Sequence, residues 1–356
     1  MAAPTEARRG GGRGGAMRTL VTGGAGFIGA NFVHYLLARD GYEVTVLDKL
    51  TYAGNPANLD PVRNDPRFRF VKGDICDPEI VRALVAESDL VVNFAAETHV
   101  DRSIADAGSF VKTDTYGAYV LLEAARERGV ARFLQISTDE VYGEAGDTPC
   151  REDGPLMPAS PYAASKAGGD RLAFSYFVTH GAPVVISRCS NNYGPYQYPE
   201  KMIPLFVTNA LSGEPLPVYG SGTNTRDWVH VEDHCRALGM LLEAPGVDGE
   251  VFNVGTGEEL TILQIADRIV AETGRAKDAI RLVTDRPGHI RRHAVDTAKI
   301  RARLGWKPQH TFARGLPETV RWYREHESWW RPIKDGSFRA YYETHYGDRL
   351  RGAKPA

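Results

Sequence analysis

From Thr19 onward the chain alternates short apolar runs with longer segments of helical period. The apolar runs are RTLVT (18–22), EVTVLD (43–48), FRFVKGD (68–74), DLVVNFAA (89–96), ARFLQIS (131–137) and PVVISR (183–188). Between them lie GGAGFIGANFVHYLLARDG, ending near Gly41, PEIVRALVAE (78–87), a long helix predicted at about 107–128, and SPYAASKAGGDRLAFSYFVTHG at about 160–180. Runs that are apolar at nearly every position suit strands buried on both faces. Helices between them suit the crossovers of a parallel sheet.

The first strand runs directly into TGGAGFIG, which places Gly23, Gly26 and Gly29 in a G-x-x-G-x-x-G frame just before a helix. Glycines there permit a tight turn and bring backbone N–H groups to a pyrophosphate at the helix N-terminus. Asp48 ends the second strand at the distance the dinucleotide fingerprint asks, placed to accept from both ribose hydroxyls and to repel a 2′-phosphate, which favours NAD over NADP. Asp74, at the tip of the third strand, stands where an adenine amino group could be met, or is simply a turn residue. The fold class read from these features is α/β, a Rossmann-type doubly wound parallel sheet.

Beyond Asn191 proline and glycine become frequent, as in NNYGPYQYPEK and GEPLPVYGSGTNTRDW, and the segments shorten. The expected organisation is a disordered extension at 1–16, a mainly NAD-binding domain at 17–190, a smaller C-terminal substrate-binding lobe at 191–335 whose chain crosses back to the sheet, and a tail at 336–356. The Gly/Arg-rich start lacks the apolar core of a secretory signal, and Met17 is an alternative start.

Bulk composition excludes several classes. With 43 basic and 45 acidic side chains the net charge is -2, so no global field draws nucleic acid or a membrane surface. No apolar run reaches the ~18 residues of a membrane span. Cys76, Cys150, Cys189 and Cys235 are far apart with no CxxC pair, which suits reduced thiols in a cytoplasm better than disulfides or a zinc site. No metal is expected.

The chemistry-bearing residues cluster at two places. STDEVYG (137–143) brings Thr138, Asp139 and Glu140 to the end of the fifth strand, and Tyr162 and Lys166 lie four apart on one face of the next helix. An ammonium beside a phenol stabilises phenolate, so Tyr162 is a candidate base. Two adjacent carboxyls repel, which separates their pKa values into one acid and one base; a helix N-cap with a first-turn acid is the plainer alternative.

TGGAGFIG, AAETHVD, STDEVYG, PYAASK, CSNNYGPYQYPEKMIPLF, RDWVHVEDHCRA and DRPGH occur in that order across about 19–330. Together they make the chain resemble the extended short-chain dehydrogenases/reductases and, within them, the dTDP-glucose 4,6-dehydratases. The resemblance implies an NAD-dependent hydro-lyase acting on a nucleotide sugar, dTDP-glucose favoured. Tyr162 takes the C4 hydroxyl proton as the C4 hydride passes to NAD+, Glu140 removes the C5 proton, and protonated Asp139 assists departure of the C6 hydroxyl. The hydride then returns to C6 and a proton to C5, while Thr138 bonds the C4 oxygen.

It further implies that Phe27, Ile28, Lys49, Thr51, Ile75, Phe94, Ala95, Ala96, Thr113, Ser137 and Asn192 join the glycines, Asp48, Asp74, Tyr162 and Lys166 around the cofactor. Thr98, Asn191, Glu200, Lys201, Leu205, Pro217 and Tyr219 would surround the sugar nucleotide with Thr138. Arg226, Asn253, Arg286 and His289 would hold its diphosphate and nucleoside, the Arg226 guanidinium forking onto two oxygens.

The chain departs from the family pattern at GSG (220–222) and in DRPGHIRRHAVD, where Ile290 replaces an acid and His293 an aromatic. Both stand near His289 in sequence and leave the preferred base open. The nearest rivals are a nucleotide-sugar 4-epimerase or a decarboxylase of the same group; an epimerase would have no use for an acid–base pair at C5 and C6, and a non-catalytic NAD-binding regulator would have lost part of the set. The resemblance also implies a homodimer joined through a four-helix interface of 107–128 and 160–180.

Overall fold

The computed structural model describes residues 15–355. The expected extension at 1–16 therefore lies, apart from its last two residues, outside the described residues. Six strands follow the apolar runs: β1 (Met17–Thr22), β2 (Tyr42–Asp48), β3 (Phe68–Lys72), β4 (Leu90–Asn93), β5 (Arg132–Thr138) and β6 (Val184–Cys189). Three short strands come next, β7 (Asn191–Tyr193), β8 (Leu216–Tyr219) and β9 (Thr225–His230), before β10 (Val251–Val254) returns to the first sheet. The order is β10-β6-β5-β4-β1-β2-β3, and every pairing is parallel. All six residues of β6 are buried, as a central strand covered on both faces requires.

The covering helices begin with α1 (Phe27–Leu37), α2 (Pro78–Ala86), the short α3 (Val100–Ala105) and α4 (Ala107–Phe110), α5 (Ala118–Arg128) and α6 (Pro161–His180). Capping follows the sequence. Asp77 accepts from the Glu79 N–H at 2.9 Å ahead of Pro78, and Ser160 accepts from Ala163 at 3.1 Å ahead of Pro161. The later helices are α7 (Met202–Ser212), α8 (Val231–Glu243), α9 (Ile262–Thr273), α10 (Ala298–Leu304), α11 (Phe312–Glu325), α12 (Glu327–Asp335) and α13 (Ser337–Arg351). One face of the sheet packs on α1 and α8 through Phe32, Leu36, Cys235 and Leu238, and the other on α2, α5 and α6 through Leu84, Leu121 and Ala173.

The second lobe has its own core, with Phe206, Ile265, Phe312 and Trp330 at its centre. Its small sheets use β11 (Glu259–Thr261), β12 (Ile280–Val283), β13 (Arg292–His293) and β14 (Lys354–Pro355) in the orders β11-β9-β13 and β14-β12-β8.

Two expectations are corrected. The helix predicted at 107–128 is interrupted: between α4 and α5 residues Val111–Gly117 form a π-helical turn. The wider turn aims Asp114 inward, where it accepts from the Glu97 N–H at 2.9 Å and the Ser165 hydroxyl at 2.7 Å. The tail expected at 336–356 is instead α13 followed by β14. Its Phe338, Tyr341, Tyr342, His345 and Tyr346 recur at helical spacing, and Phe338 and Tyr346 are buried. Tyrosine and histidine read as polar leave that stripe easy to overlook.

Candidate active site

The carboxyl ends of β1, β2, β4 and β5 open into a cleft of about 400 Å³ whose far wall comes from the second lobe. At the β1–α1 turn Gly23 has φ 68°, and a Cβ there would stand 2.6 Å from the Ala95 nitrogen. A Cβ on Gly29 would meet the Gly23 carbonyl at 2.3 Å, so only glycine lets the helix start this close to the strand. Gly26 caps α1 without a side chain and the first turn carries no acid, leaving its N–H groups, with Phe27 and Ile28, open to an anion.

Asp48 is buried at the end of β2. Its oxygens accept from Ala25 N–H at 2.9 Å and Leu50 N–H at 2.8 Å, which fixes the carboxylate facing the cleft. Lys49 bridges Glu97 at 2.8 Å and Thr113 at 3.0 Å, and stands 3.9 Å from Asp74. Thr51, Ile75, Phe94, Ala95, Ala96 and Ser137 complete this end. Asn192 donates to the Ser190 carbonyl at 3.0 Å, and its amide oxygen meets His234 at 2.9 Å.

The buried Ser137 hydroxyl, Asn191 amide oxygen and Asp139 Oδ2 lack partners among the described residues, and all three residues face the cleft. Buried polar atoms are normally satisfied, so such a set marks where a ligand belongs. These atoms, the glycine cradle and the Asp48 carboxylate fit a dinucleotide with a second polar ligand beside it.

At the cleft's centre Thr138 caps a 3₁₀ turn at Asp139–Tyr142, its hydroxyl accepting from Glu140 N–H at 3.2 Å. The plain reading of a capped turn thus holds for Thr138, while both acids line the cleft. Burial, and then the charge of Glu140, push the Asp139 carboxyl up to about 8, so it is protonated at neutral pH. Tyr162 and Lys166 stand on α6 across from them. The Lys166 Nζ donates to the Ile136 carbonyl at 2.7 Å. Burial first, then the charges of Glu140, Asp114 and Asp139, raise the Tyr162 phenol well above its usual range. Asp114, pushed up to about 6 chiefly by burial, was invisible in sequence because the π turn alone turns it inward.

Behind the acid turn, Arg188 forks onto Asp170 at 2.8 and 2.9 Å, and donates to the Tyr142 hydroxyl at 2.8 Å. Tyr142 in turn donates to Asn253 at 2.8 Å. Asn253, expected at the substrate, is instead fully buried on β10 outside the cleft, its amide donating to the Cys150 and Asp296 carbonyls. It braces the turn that carries the acids. Its register opposite Arg188 on the neighbouring strand explains the placement, and that pairing cannot be read from sequence.

Thr98, after β4, lines the cleft opposite the second lobe's Asn191, Glu200, Lys201, Leu205, Pro217 and Tyr219, with Arg226, Arg286 and His289. Glu200 accepts from Arg102 at 2.6 Å, and Arg286 donates to Asp101 at 3.1 Å. His289 pairs with Asp285 at 2.7 Å. The α13 helix closes this end, with His345 3.3 Å from Asp101 and Tyr346 stacked on Tyr219. Two Arg226 nitrogens are already committed to the Thr225 and Ile290 carbonyls at 2.7 and 2.9 Å. His293 lies not at the nucleoside end but beside Asp139, 4.0 Å away. One group of residues able to hold a metal among those described, His230, Glu232 and His310, lies off the cleft.

Residues 20–319 match the family model described as GDP-mannose 4,6 dehydratase. A dTDP-glucose 4,6-dehydratase of Streptomyces niveus is 54% identical over 323 residues, covering 89% of this chain and 96% of that one. This chain belongs to the dTDP-glucose 4,6-dehydratase family. A solved member, DesIV from Streptomyces venezuelae with NAD and dTDP bound, superposes with a TM-score of 0.87 at 52% identity over 89% of this chain and 100% of that one. The fold of the dehydratase family extends to a UDP-glucuronic acid 4-epimerase from Bacillus cereus, at TM-score 0.83 and 29% identity over 87% of this chain and all of the other. Fold alone therefore does not separate the reactions; the side chains in the cleft must.

Proposed function

We propose that the chain converts dTDP-glucose to its 4-keto-6-deoxy product by C4 oxidation, loss of water across C5 and C6, and hydride return to C6. The observation that carries this is the adjacent pair Asp139 and Glu140 in the cleft, where burial and the Glu140 charge favour the protonated form of Asp139. Bound NAD+ would supply the hydride acceptor and later donor. Gly23, Gly26, Gly29 and Asp48 would hold it.

Tyr162 takes the C4 hydroxyl proton, Thr138 orients that oxygen, and Lys166 secures the α6 side of the site through the Ile136 carbonyl. The resulting ketone acidifies C5–H, and the Glu140 carboxylate removes that proton. The freed electron pair forms the C5=C6 double bond as the C6–O bond breaks. The leaving oxygen takes the Asp139 proton and departs as water. Glu140 returns its proton to C5 once C6 has been reduced. An epimerase needs neither of these acid–base steps.

Because Asp139 must be protonated to act, kcat is expected to fall by about tenfold per unit as pH rises through about 8. A kcat–pH profile flat to well above that value would remove Asp139 from the role. The substrate is tested by incubating purified protein with dTDP-glucose and, separately, UDP-glucose, and following the alkali-induced absorbance of a 4-keto-6-deoxy sugar. Turnover of the thymidine sugar without added reductant supports the reading; turnover of neither sinks it.

The departure at Ile290 argues little about the base, since the group used there is its backbone carbonyl, which accepts from both Arg226 and Asn224. A homodimer is part of the same proposal. Val111, Tyr116 and Tyr119 are 54, 46 and 43% exposed and share a shallow groove with Leu172 of α6, an apolar patch that a second copy would cover. Sedimentation is expected to give twice the chain mass for the wild type and the single mass for a Tyr116→Glu/Tyr119→Glu variant. A cytoplasmic setting accords with four unpaired thiols.

A further inference from the structure

We infer that His293 is a positioning and proton-relay residue for Asp139, holding the acid proton in place and restoring it after each turnover. His293 sits on β13, in register with Arg226 of β9, and is 4% exposed. Its Nδ1 is 4.0 Å from Asp139 Oδ1. Both ring nitrogens are buried without a partner among the described residues, and so is Asp139 Oδ2. Three unsatisfied polar atoms on two facing side chains are unusual in a packed interior, where such atoms are nearly always paired. The two groups are complementary: a neutral imidazole offers one N–H and one lone pair, and a protonated carboxyl offers one O–H and acceptor oxygens. A shift of about 1 Å brings them within hydrogen-bonding distance, a tightening common when a substrate closes a site.

Proton balance gives the pair a task, and here the inference rests on the reading of Asp139 as the acid. Glu140 gives back to C5 the proton it takes. Tyr162 ends each cycle with one proton gained from the C4 hydroxyl, and Asp139 ends with one lost in the departing water. Asp139 must therefore be reprotonated before the next elimination, from a position closed to bulk water. An imidazole with two free nitrogens can release a proton to the carboxylate from one and take a replacement at the other from water that enters as product leaves, while Tyr162 returns its gained proton to water, so the cycle balances and no charge stays on the ring.

The surroundings favour passage over storage. Burial first, then Arg226, Arg286 and His289, keep the ring neutral, while burial, then Glu140 and Asp227, outweigh Arg226 and favour the protonated form of Asp139. Burial first, and then any charge on Asp139, raise the Cys150 thiol above its usual range.

The test compares two substrates in His293→Phe and His293→Gln holoenzyme: dTDP-glucose, and its 6-deoxy-6-fluoro analogue, whose fluoride leaves with less need of a proton. On dTDP-glucose His293→Phe is expected to lose about 10–100-fold in kcat with KM within about twofold, and on the fluoro sugar to stay within about threefold of wild type. His293→Gln, which keeps a donor and an acceptor, should hold the proton in place but not relay it, and should fall between. Equal losses on both sugars would mean a structural role only, and no loss on either would mean no role; each overturns the proposal. Asp139→Asn run alongside separates the two levels: if the fluoro sugar fails to rescue it, Asp139 is not the acid, and the underlying reading falls with the relay.

Discussion

Glu140→Gln is expected to lower kcat about 10²–10⁴-fold, the range for losing a positioned proton-transfer group, while oxidation at C4 proceeds. The quenched single-turnover mixture should then hold a 4-keto sugar that keeps its C6 oxygen, two hydrogens lighter than the substrate by mass. Glutamine preserves the shape and hydrogen-bonding capacity of the side chain but cannot accept the C5 proton, so the block falls between oxidation and elimination. If the variant instead accumulates nothing while retaining NAD, Glu140 acts before or outside the elimination. If it turns over normally, the assignment of roles within the acid pair is wrong.

Tyr162→Phe is expected to lose a comparable about 10²–10⁴-fold, but with no keto sugar of any kind in the quench, because the first proton transfer is missing. The phenol is held well above its ordinary range by burial and by three carboxyl neighbours, and one of the Lys166 N–H groups donates to the Ile136 carbonyl. Ionisation of Tyr162 therefore depends on what binds beside it. This ties the first chemical step to an occupied cofactor site, and the same variant should bind dTDP with unchanged affinity. Weakened binding would indicate that the ring serves mainly to shape the cleft.

Much of the fold was legible because its signals are local. Strands buried on both faces read as unbroken apolar runs, and caps such as Asp77-Pro78 and Ser160-Pro161 mark helix starts. The glycine turn and the aspartate after β2 announce a nucleotide. What escaped was set by geometry that pattern cannot carry. The π turn at Val111–Gly117 leaves the amphipathic pattern of its helix almost unchanged while re-aiming Asp114. Asn253 looked like a polar residue available to a ligand, and only the pairing of β10 with β6 reveals that Tyr142 and two carbonyls occupy it. His293 looked close to His289 in sequence, yet on β13 its imidazole stands beside Asp139, while His289 pairs with Asp285. The α13 stripe was present in the sequence but was written in tyrosine and histidine.

The late arrival of β10 has a consequence for how the protein is made. The edge of β6 has no partner strand, and the α1 side of the sheet lacks α8, until the segment through Val254 has left the ribosome. A nascent chain stopped after β6 would carry an open apolar strand edge and an uncovered core face, the features that invite aggregation and chaperone capture. The nucleotide-binding half is therefore contiguous in space but not in synthesis. Cutting the gene at the apparent lobe boundary should give an insoluble fragment, and translation rate between β7 and β10 should govern the yield of folded enzyme.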